Sequence, residues 1–285
     1  NKKKQKVIIT SRSKKSGIKN KFFEVVILDI YKKENILKII KKYKPQNIFY
    51  FAGQSSPSIS FVKKKETLRS NYIGCKNVLE CVYEINKDIK FIYAASSEMY
   101  GKINGKISYK SKKLPVNPYG ISKLKGFNLT KLYREKYNLN TYSAIIFNTE
   151  STLRDTSYFI PKVCMAAINA YKYNLKTKFG NLDIKREWNW CDDQCELLIK
   201  FLKKEPQDFI ISNGKSLSAK KMLKFAFDYF NLDYKKYVIQ DKKLLRPTDI
   251  SIKISNYRES WAKNNITKKN FIYGRKLIYL MIKHY

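Results

Sequence analysis

Tyr119 and Lys123 stand four residues apart in Tyr119-Gly120-Ile121-Ser122-Lys123, a spacing that sets a phenol and an ammonium on one helix face. A neighbouring ammonium favours phenolate and lowers the tyrosine pKa, so the phenol can exchange a proton with a substrate hydroxyl. Spacing alone is weak in a chain with 22 tyrosines, and Tyr72 and Lys76 repeat it. Context separates the two pairs. Ala95-Ser96-Ser97-Glu98-Met99-Tyr100-Gly101 follows an apolar run and brings two hydroxyls and a carboxylate to one place. A hydroxyl there can orient a substrate oxygen, and a carboxylate can act as acid or base. Only Tyr119 and Lys123 follow this edge by one short loop, residues 102–116, and only they are preceded by Asn117-Pro118.

The elements that must position these groups alternate along the first half of the chain. Residues 6–10 (KVIIT) and 23–28 (FEVVIL) read as buried strands, and 34–43 as a helix with Ile36, Leu37, Ile39 and Ile40 on its apolar face. A strand at 47–51, a helix near 67–85, a strand at 90–94, a helix from 117 to about 137 and a strand at 141–147 follow. This alternation predicts an α/β fold, a Rossmann-like doubly wound parallel sheet covered on both faces. Beyond Asn148 helices are expected at 161–173 and 192–203, a loop at 180–183, a strand-like piece at 208–212 and a helix from Ser218. These form the end of the sheet and a smaller C-terminal lobe. Ligands bind such sheets at the C-terminal ends of their strands. After Phe51, Ala52-Gly53-Gln54-Ser55 offers small side chains that let a dinucleotide approach the backbone.

Composition narrows the function classes. No apolar run reaches the roughly 20 residues of a membrane span, and the opening Asn1-Lys2-Lys3-Lys4 lacks the apolar stretch of a secretory signal, so a cytoplasmic location is expected. Five scattered cysteines and one histidine, His284, point away from disulfides and from a metal site; Cys191 and Cys195 share a helix face but lack further ligands. The net charge of +36 is spread along the whole chain as a lysine bias, and no helix-turn-helix, zinc-finger or RNA-binding signature accompanies it, so no specific nucleic-acid partner is expected.

Taken together, these segments resemble the extended short-chain dehydrogenase/reductases, and among them the GDP-mannose 4,6-dehydratase family, through nearly the whole chain. Ala52-Gly53-Gln54-Ser55 with Ile59-Ser60-Phe61 is similar to the family run Ala-Ala-Gln-Ser-His-Val-x-x-Ser-Phe, and Ser96-Ser97-Glu98-Met99-Tyr100-Gly101 to Thr-Ser-Glu-Leu-Tyr-Gly. Phe147-Asn148-Thr149-Glu150-Ser151 resembles Phe-Asn-His-Glu-Ser, GNLDIKREW from Gly180 to Trp188 resembles Gly-Asn-Leu-Asp-x-x-Arg-Asp-Trp, and Arg246-Pro247-Thr248-Asp249 resembles Arg-Pro-x-Glu.

The resemblance implies roles. Tyr119 is the expected base at the sugar 4-hydroxyl, Lys123 holds the nicotinamide ribose, Ser96 takes the place of the family threonine and Glu98 removes the C5 proton. The implied reaction converts GDP-mannose to GDP-4-keto-6-deoxymannose: C4 is oxidised, water is eliminated across C5 and C6, and the hydride returns to C6. Arg12 and Ser13 stand where an NAD-preferring site carries an acidic residue, which favours NADP. Asp29 and Ile30 are expected beside the adenine. Phe51, Ala52, Gln54, Ser55, Thr149 and Arg154 are further expected cofactor contacts. Asn148, Glu150, Lys162, Arg186 and Arg246 are expected at the nucleotide sugar. Residues 1–150 are expected to bind NADP, with 182–215 returning to that domain, and 151–181 with 216–285 to bind the nucleotide sugar; the family implies a homodimer or homotetramer.

The chain also departs from the family. No Gly-x-x-Gly-x-x-Gly loop occurs in it, and its first strand aligns with the family's second. Roughly 20 to 30 residues forming the first strand, phosphate-binding turn and helix are therefore expected to precede Asn1. Thr149 replaces the family histidine, Thr152-Leu153 replaces Pro-Arg, Asn189-Trp190-Cys191 replaces Gly-His-Ala, and Glu66 stands for a tyrosine. Two alternatives stay open: a related NAD(P)-dependent nucleotide-sugar epimerase or reductase, and a catalytically silent relative that binds an anionic partner.

Overall fold

The computed structural model describes residues 6–13, 22–245, 252–256, 258–260 and 271–285. Strands β1 (Val7–Ser11) and β2 (Phe23–Ile27) lead into helix α1 (Lys33–Tyr43) and strand β3 (Asn47–Tyr50). Short helices α2 (Pro57–Val62) and α3 (Lys64–Leu68) run through a π-helical turn, Arg69–Ile73, into α4 (Gly74–Ile85). Strand β4 (Lys90–Ser96), the short β5 (Gly105–Ile107), the long helix α5 (Pro118–Tyr137) and β6 (Thr141–Ile146) follow. The helix expected near 67–85 is thus interrupted by the π turn, and β4 reaches two residues further than 90–94, to Ser96.

The main sheet is four-stranded and parallel. Its order is β11-β6-β4-β3, with β11 being Asp208–Ile211. Successive side chains of a strand face opposite sides, and the sequence uses both. Phe91, Tyr93 and Ala95 of β4, Ile145 of β6 and Ile210 of β11 join one core with α1, α4 and α5. Ile92, Tyr142, Ala144, Phe209 and Ile211 face the other side, against Leu197, Leu198 and Phe201 of helix α7 (Cys191–Phe201). Helices on both faces are the arrangement that the strand–helix alternation predicts.

The strands do not form one continuous sheet. β1 and β2 pair with each other in parallel as a separate two-stranded sheet, so β1 and β3 are both edges among the described residues. Apolar side chains stay open on these strands: Val7 on β1, Ile27 on β2, and Phe49 on β3 with Phe51 just beyond it.

A second core gathers the C-terminal elements. Helices α6 (Phe159–Tyr173), α8 (Ala219–Asp228) and α9 (Gly274–His284) bury Ile160, Val163, Met222, Phe227, Leu277 and Met281 against Phe179, Leu182, Trp188 and Trp190. Residues 182–190 therefore pack with this lobe, whereas α7 and β11 join the main sheet. A mixed sheet joins distant parts of the chain: Ile252–Ser255 runs parallel to both Lys185–Glu187 and β5, and Ser216–Ser218 pairs antiparallel with Lys185–Glu187. Among the described residues no helix is long and apolar enough to cross a membrane.

Candidate active site

Ser96 ends β4, and its Oγ accepts the Glu98 N–H at 3.2 Å, which turns the chain into the short 3₁₀ helix Ser97–Tyr100. Helix α5 starts opposite this turn. Pro118 occupies its first turn, where no N–H is needed, and Asn117 caps it by accepting the Gly120 N–H on Oδ1 at 2.7 Å. A Cβ at Gly120 would lie 2.5 Å from the Glu98 carbonyl oxygen, so the absent side chain allows the helix to touch the turn. This close approach brings the Tyr119 phenol within reach of the Ser96 hydroxyl. Ser96, Glu98, Tyr119 and Lys123 are thus brought together as the sequence predicts.

The electrostatics are specific. Burial pushes the Tyr119 phenol up to about 12, against the Ser96 hydrogen bond that favours its ionisation. The expectation that Lys123 lowers this pKa is not met. The Lys123 ammonium donates to the Ala94 carbonyl at 2.9 Å and stands 5.6 Å from the Tyr119 ring centre. It is itself pushed down to about 8 by burial. Glu98 behaves differently. Burial alone would raise its carboxyl, but the Lys253 ammonium, the Asn117 amide and the Arg186 charge outweigh that and hold it below the usual carboxylate range.

The loop after β3 forms a second wall. Gly53 adopts φ +145°, and a Cβ there would fall 2.3 Å from Asn71 Oδ1 on the π turn. Asn71 Nδ2 donates to the Gln54 carbonyl at 2.9 Å and Ser70 Oγ accepts the Gln54 N–H at 3.1 Å, so the turn holds the loop from below. The Gln54 side chain is tied to the Ser56 carbonyl, Phe51 and Ala52 retain accessible surface, and Ser55 Oγ lies 3.3 Å from Tyr158 Oη. Further along the edge, Asp29 Oδ1 accepts the Tyr31 N–H at 2.9 Å. Ile30 is a core side chain, packed against Gly74 beside Tyr50. Arg12 and Ser13 are exposed just beyond β1.

The remaining predicted residues separate into groups. Arg154 Nη1 donates to the Thr149 carbonyl and, at 2.9 Å, to Glu150 Oε1, and its guanidinium lies over the Tyr158 ring at 4.1 Å. Glu150 is buried and pushed up to about 7 by that burial, against the pull of Arg154. Thr149 Oγ1 donates to Gln194 Oε1 at 2.5 Å, and the Asn148 carbonyl accepts the Asn189 N–H. Lys162 places its ammonium 4.9 Å from the Phe179 ring, and burial lowers its pKa. Arg186 lies on Lys185–Glu187, within electrostatic reach of Glu98. Arg246 lies outside the described residues.

Three groups at the site escape the sequence reading. Asn117 was legible only as a neighbour of the helix start, yet it donates to Glu98 Oε2 at 2.9 Å. Tyr158 has no motif; its contact with Arg154 is local, four residues away, but only the fold brings it to Ser55. Lys253 pairs with Glu98 at 2.7 Å across 155 residues of sequence, with no local signal. For a nicotinamide dinucleotide, the donors present fit its two ends: the buried Lys123 ammonium beside Tyr119, and the exposed Arg12 beyond β1.

The family model described as GDP-mannose 4,6 dehydratase matches residues 2–266. GDP-mannose 4,6 dehydratase 1 of Arabidopsis thaliana is 32% identical over 214 residues, which cover 73% of this chain and 59% of that one. GDP-mannose 4,6 dehydratase of Drosophila melanogaster is 29% identical over 208 residues, 71% of this chain and 53% of that one. The chain spans about half the length of the curated relatives it matches. Among solved structures, the UDP-glucose 4-epimerase of Thermus thermophilus in complex with NAD has a TM-score of 0.83 at 15% identity, covering 98% of both chains. The dTDP-glucose 4,6-dehydratase of Streptomyces venezuelae with NAD has a TM-score of 0.81 at 17% identity, covering 98% of this chain and 87% of that one. These structures share the Rossmann-like fold. With the motifs around Ser96, Tyr119 and Trp188 falling inside the matched span, the chain belongs to the GDP-mannose 4,6-dehydratase family.

Proposed function

We propose that the protein is a nucleotide-sugar 4,6-dehydratase that uses NADP and converts GDP-mannose to GDP-4-keto-6-deoxymannose with loss of one water. The observation that carries this reading is the Glu98 carboxylate, held by Lys253 at 2.7 Å and Asn117 at 2.9 Å on the turn that Ser96 starts, opposite Tyr119. A nicotinamide cofactor, when bound, supplies the acceptor for the C4 hydride and its return to C6. The chain's own groups handle protons. Tyr119 takes the proton of the 4-hydroxyl, with Ser96 orienting that oxygen and Lys123 available to the ribose and, as an ammonium, to the developing phenolate. Once C4 is a ketone the C5 proton is acidified; Glu98 removes it and passes it to the C6 hydroxyl, which leaves as water, and the proton that Tyr119 took from the 4-hydroxyl balances the one that C5 regains as the hydride adds at C6. A C4 epimerase needs the Tyr119 chemistry but no base at C5, so Glu98 favours the elimination.

Arg12 and Ser13 support NADP over NAD, because a guanidinium beyond β1 suits a 2′-phosphate. We assign cofactor binding to the main sheet and sugar-nucleotide binding to the lobe of α6, α8 and α9, with Lys162 and Arg186 facing the diphosphate. The test is incubation with NADP and, separately, GDP-mannose, dTDP-glucose and UDP-glucose, with products weighed by mass spectrometry. GDP-mannose is expected to yield a product lighter by one water, and Tyr119→Phe and Glu98→Gln to lower that yield by about 10²-fold or more. Water loss only from dTDP-glucose would reassign the sugar nucleotide, and no water loss from any of them would overturn the dehydratase reading.

A further inference from the structure

Lys253 is the most unusual side chain near the site. It lies on Ile252–Ser255, where the alternation is inverted: Lys253 and Ser255 are each 4% exposed, while the isoleucines on either side of Lys253 keep more surface. The strand is held in that register from two sides. Lys253 stands across from Arg186 on one neighbour and from Gly105 on the other, and the Ser255 N–H donates to Glu187 Oε1 at 2.5 Å. Glu187 also accepts the Gly214 N–H at 2.9 Å, so one buried carboxylate ties this strand to the end of the main sheet.

From this anchored position the Lys253 ammonium reaches Glu98 Oε1 at 2.7 Å, with Asn117 Nδ2 on Oε2 at 2.9 Å. The two partners differ in access: the lysine side chain is 4% exposed and the glutamate 23%. Lys253 therefore stands behind the carboxylate, and the open face of Glu98 is left for a ligand. A buried ion pair of this kind contributes little net stability, but removing one partner strands the other charge, so the pair fixes geometry and protonation state. The groups facing Glu98 are Lys253 from Ile252–Ser255, Arg186 from Lys185–Glu187, and Tyr119 and the neutral Asn117 from the start of α5.

We propose that Lys253 is a positioning residue for Glu98, fixing Oε1 from behind and keeping the carboxylate in the ionised form that a base at a sugar C–H requires. This rests on the reading of Glu98 as the C5 base. In proton terms, Glu98 gains the C5 proton, becomes neutral next to an ammonium, and gives that proton to the departing C6 hydroxyl, which leaves as water. Lys253 favours the release.

The test is a titration of the ligand-free protein with ¹³C-labelled glutamate carboxyls, the Glu98 signal being the one that Glu98→Gln removes. In the parent, Glu98 is expected to titrate below a free glutamate. In Lys253→Met its midpoint is expected to rise by about 1 to 3 pH units, and Lys253→Arg to return most of that shift. If methionine disturbs the strand, Lys253→Gln, which keeps a donor and removes the charge, reads the same shift. The acid limb of kcat/KM is expected to move up by the same amount, whereas a merely structural role would lower turnover equally at every pH. An unchanged Glu98 midpoint in both charge-removing variants overturns the proposal. A parent that turns over no nucleotide sugar would instead overturn the dehydratase reading, and the titration would still decide the role of Lys253.

Discussion

Asn117 joins helix α5 to Glu98: its Oδ1 accepts the Gly120 N–H at 2.7 Å while its Nδ2 donates to Glu98 Oε2 at 2.9 Å. The residue that starts the helix carrying Tyr119 thus also orients the carboxylate on the opposite turn, so stability and geometry depend on one side chain. Asn117→Ala is expected to cost about 1 kcal/mol for the cap, and a further 1.5 to 3 kcal/mol for the hydrogen bond to a charged group. Urea unfolding at constant m checks this. Asn117→Asp should keep the cap yet lose turnover, because it sets a second carboxylate against Glu98. Parent-like unfolding of the alanine variant would contradict the double role.

Gly53 is expected to tolerate no side chain. At φ +145°, with a Cβ 2.3 Å from Asn71 Oδ1, alanine must move either the loop or the π turn that supports it. A cost of about 1 to 3 kcal/mol is expected, together with weaker NADPH binding measured by fluorescence titration. Unchanged binding and unchanged unfolding in Gly53→Ala would show that the loop does not depend on this contact.

Glu150 gives a pH prediction with a definite sign. Burial raises its folded pKa to about 7, above the ordinary carboxyl value, and Oε2 has no hydrogen-bond partner among the described residues. Between the ordinary value and about 7 the folded protein holds a proton that the unfolded chain releases. Stability from this group is therefore complete at low pH and is lost as pH rises through about 7, by up to about 1.4 kcal/mol per unit. Glu150→Gln stays neutral, so its stability should gain on the parent's between pH 5 and pH 8 in urea unfolding. A constant difference across that range would show that Glu150 does not titrate there.

Sequence legibility follows locality. Ser96, Glu98, Tyr119 and Lys123 could be read because a strand end, a capped helix start and a four-residue spacing fix them within one short stretch of chain. The Arg154–Glu150 ion pair was not legible, because the two residues stand four apart across a strand end and a turn, where that spacing carries no helical signal. Lys253 was not legible: in ISIKIS the isoleucines read as the inward face, and only pairing with Lys185–Glu187 and Gly105–Ile107 turns the lysine inward.

In the proposed reaction one site removes hydrogen from C4, eliminates water and returns the hydrogen to C6. The most direct measurement uses GDP-mannose deuterated at C4 with NADP and the purified protein, locating the label in the product by NMR and mass spectrometry. The expected product is lighter by one water and carries deuterium at C6 of a 4-keto sugar. A sugar of unchanged composition with its deuterium back at C4 and inverted stereochemistry would contradict it and identify an epimerase.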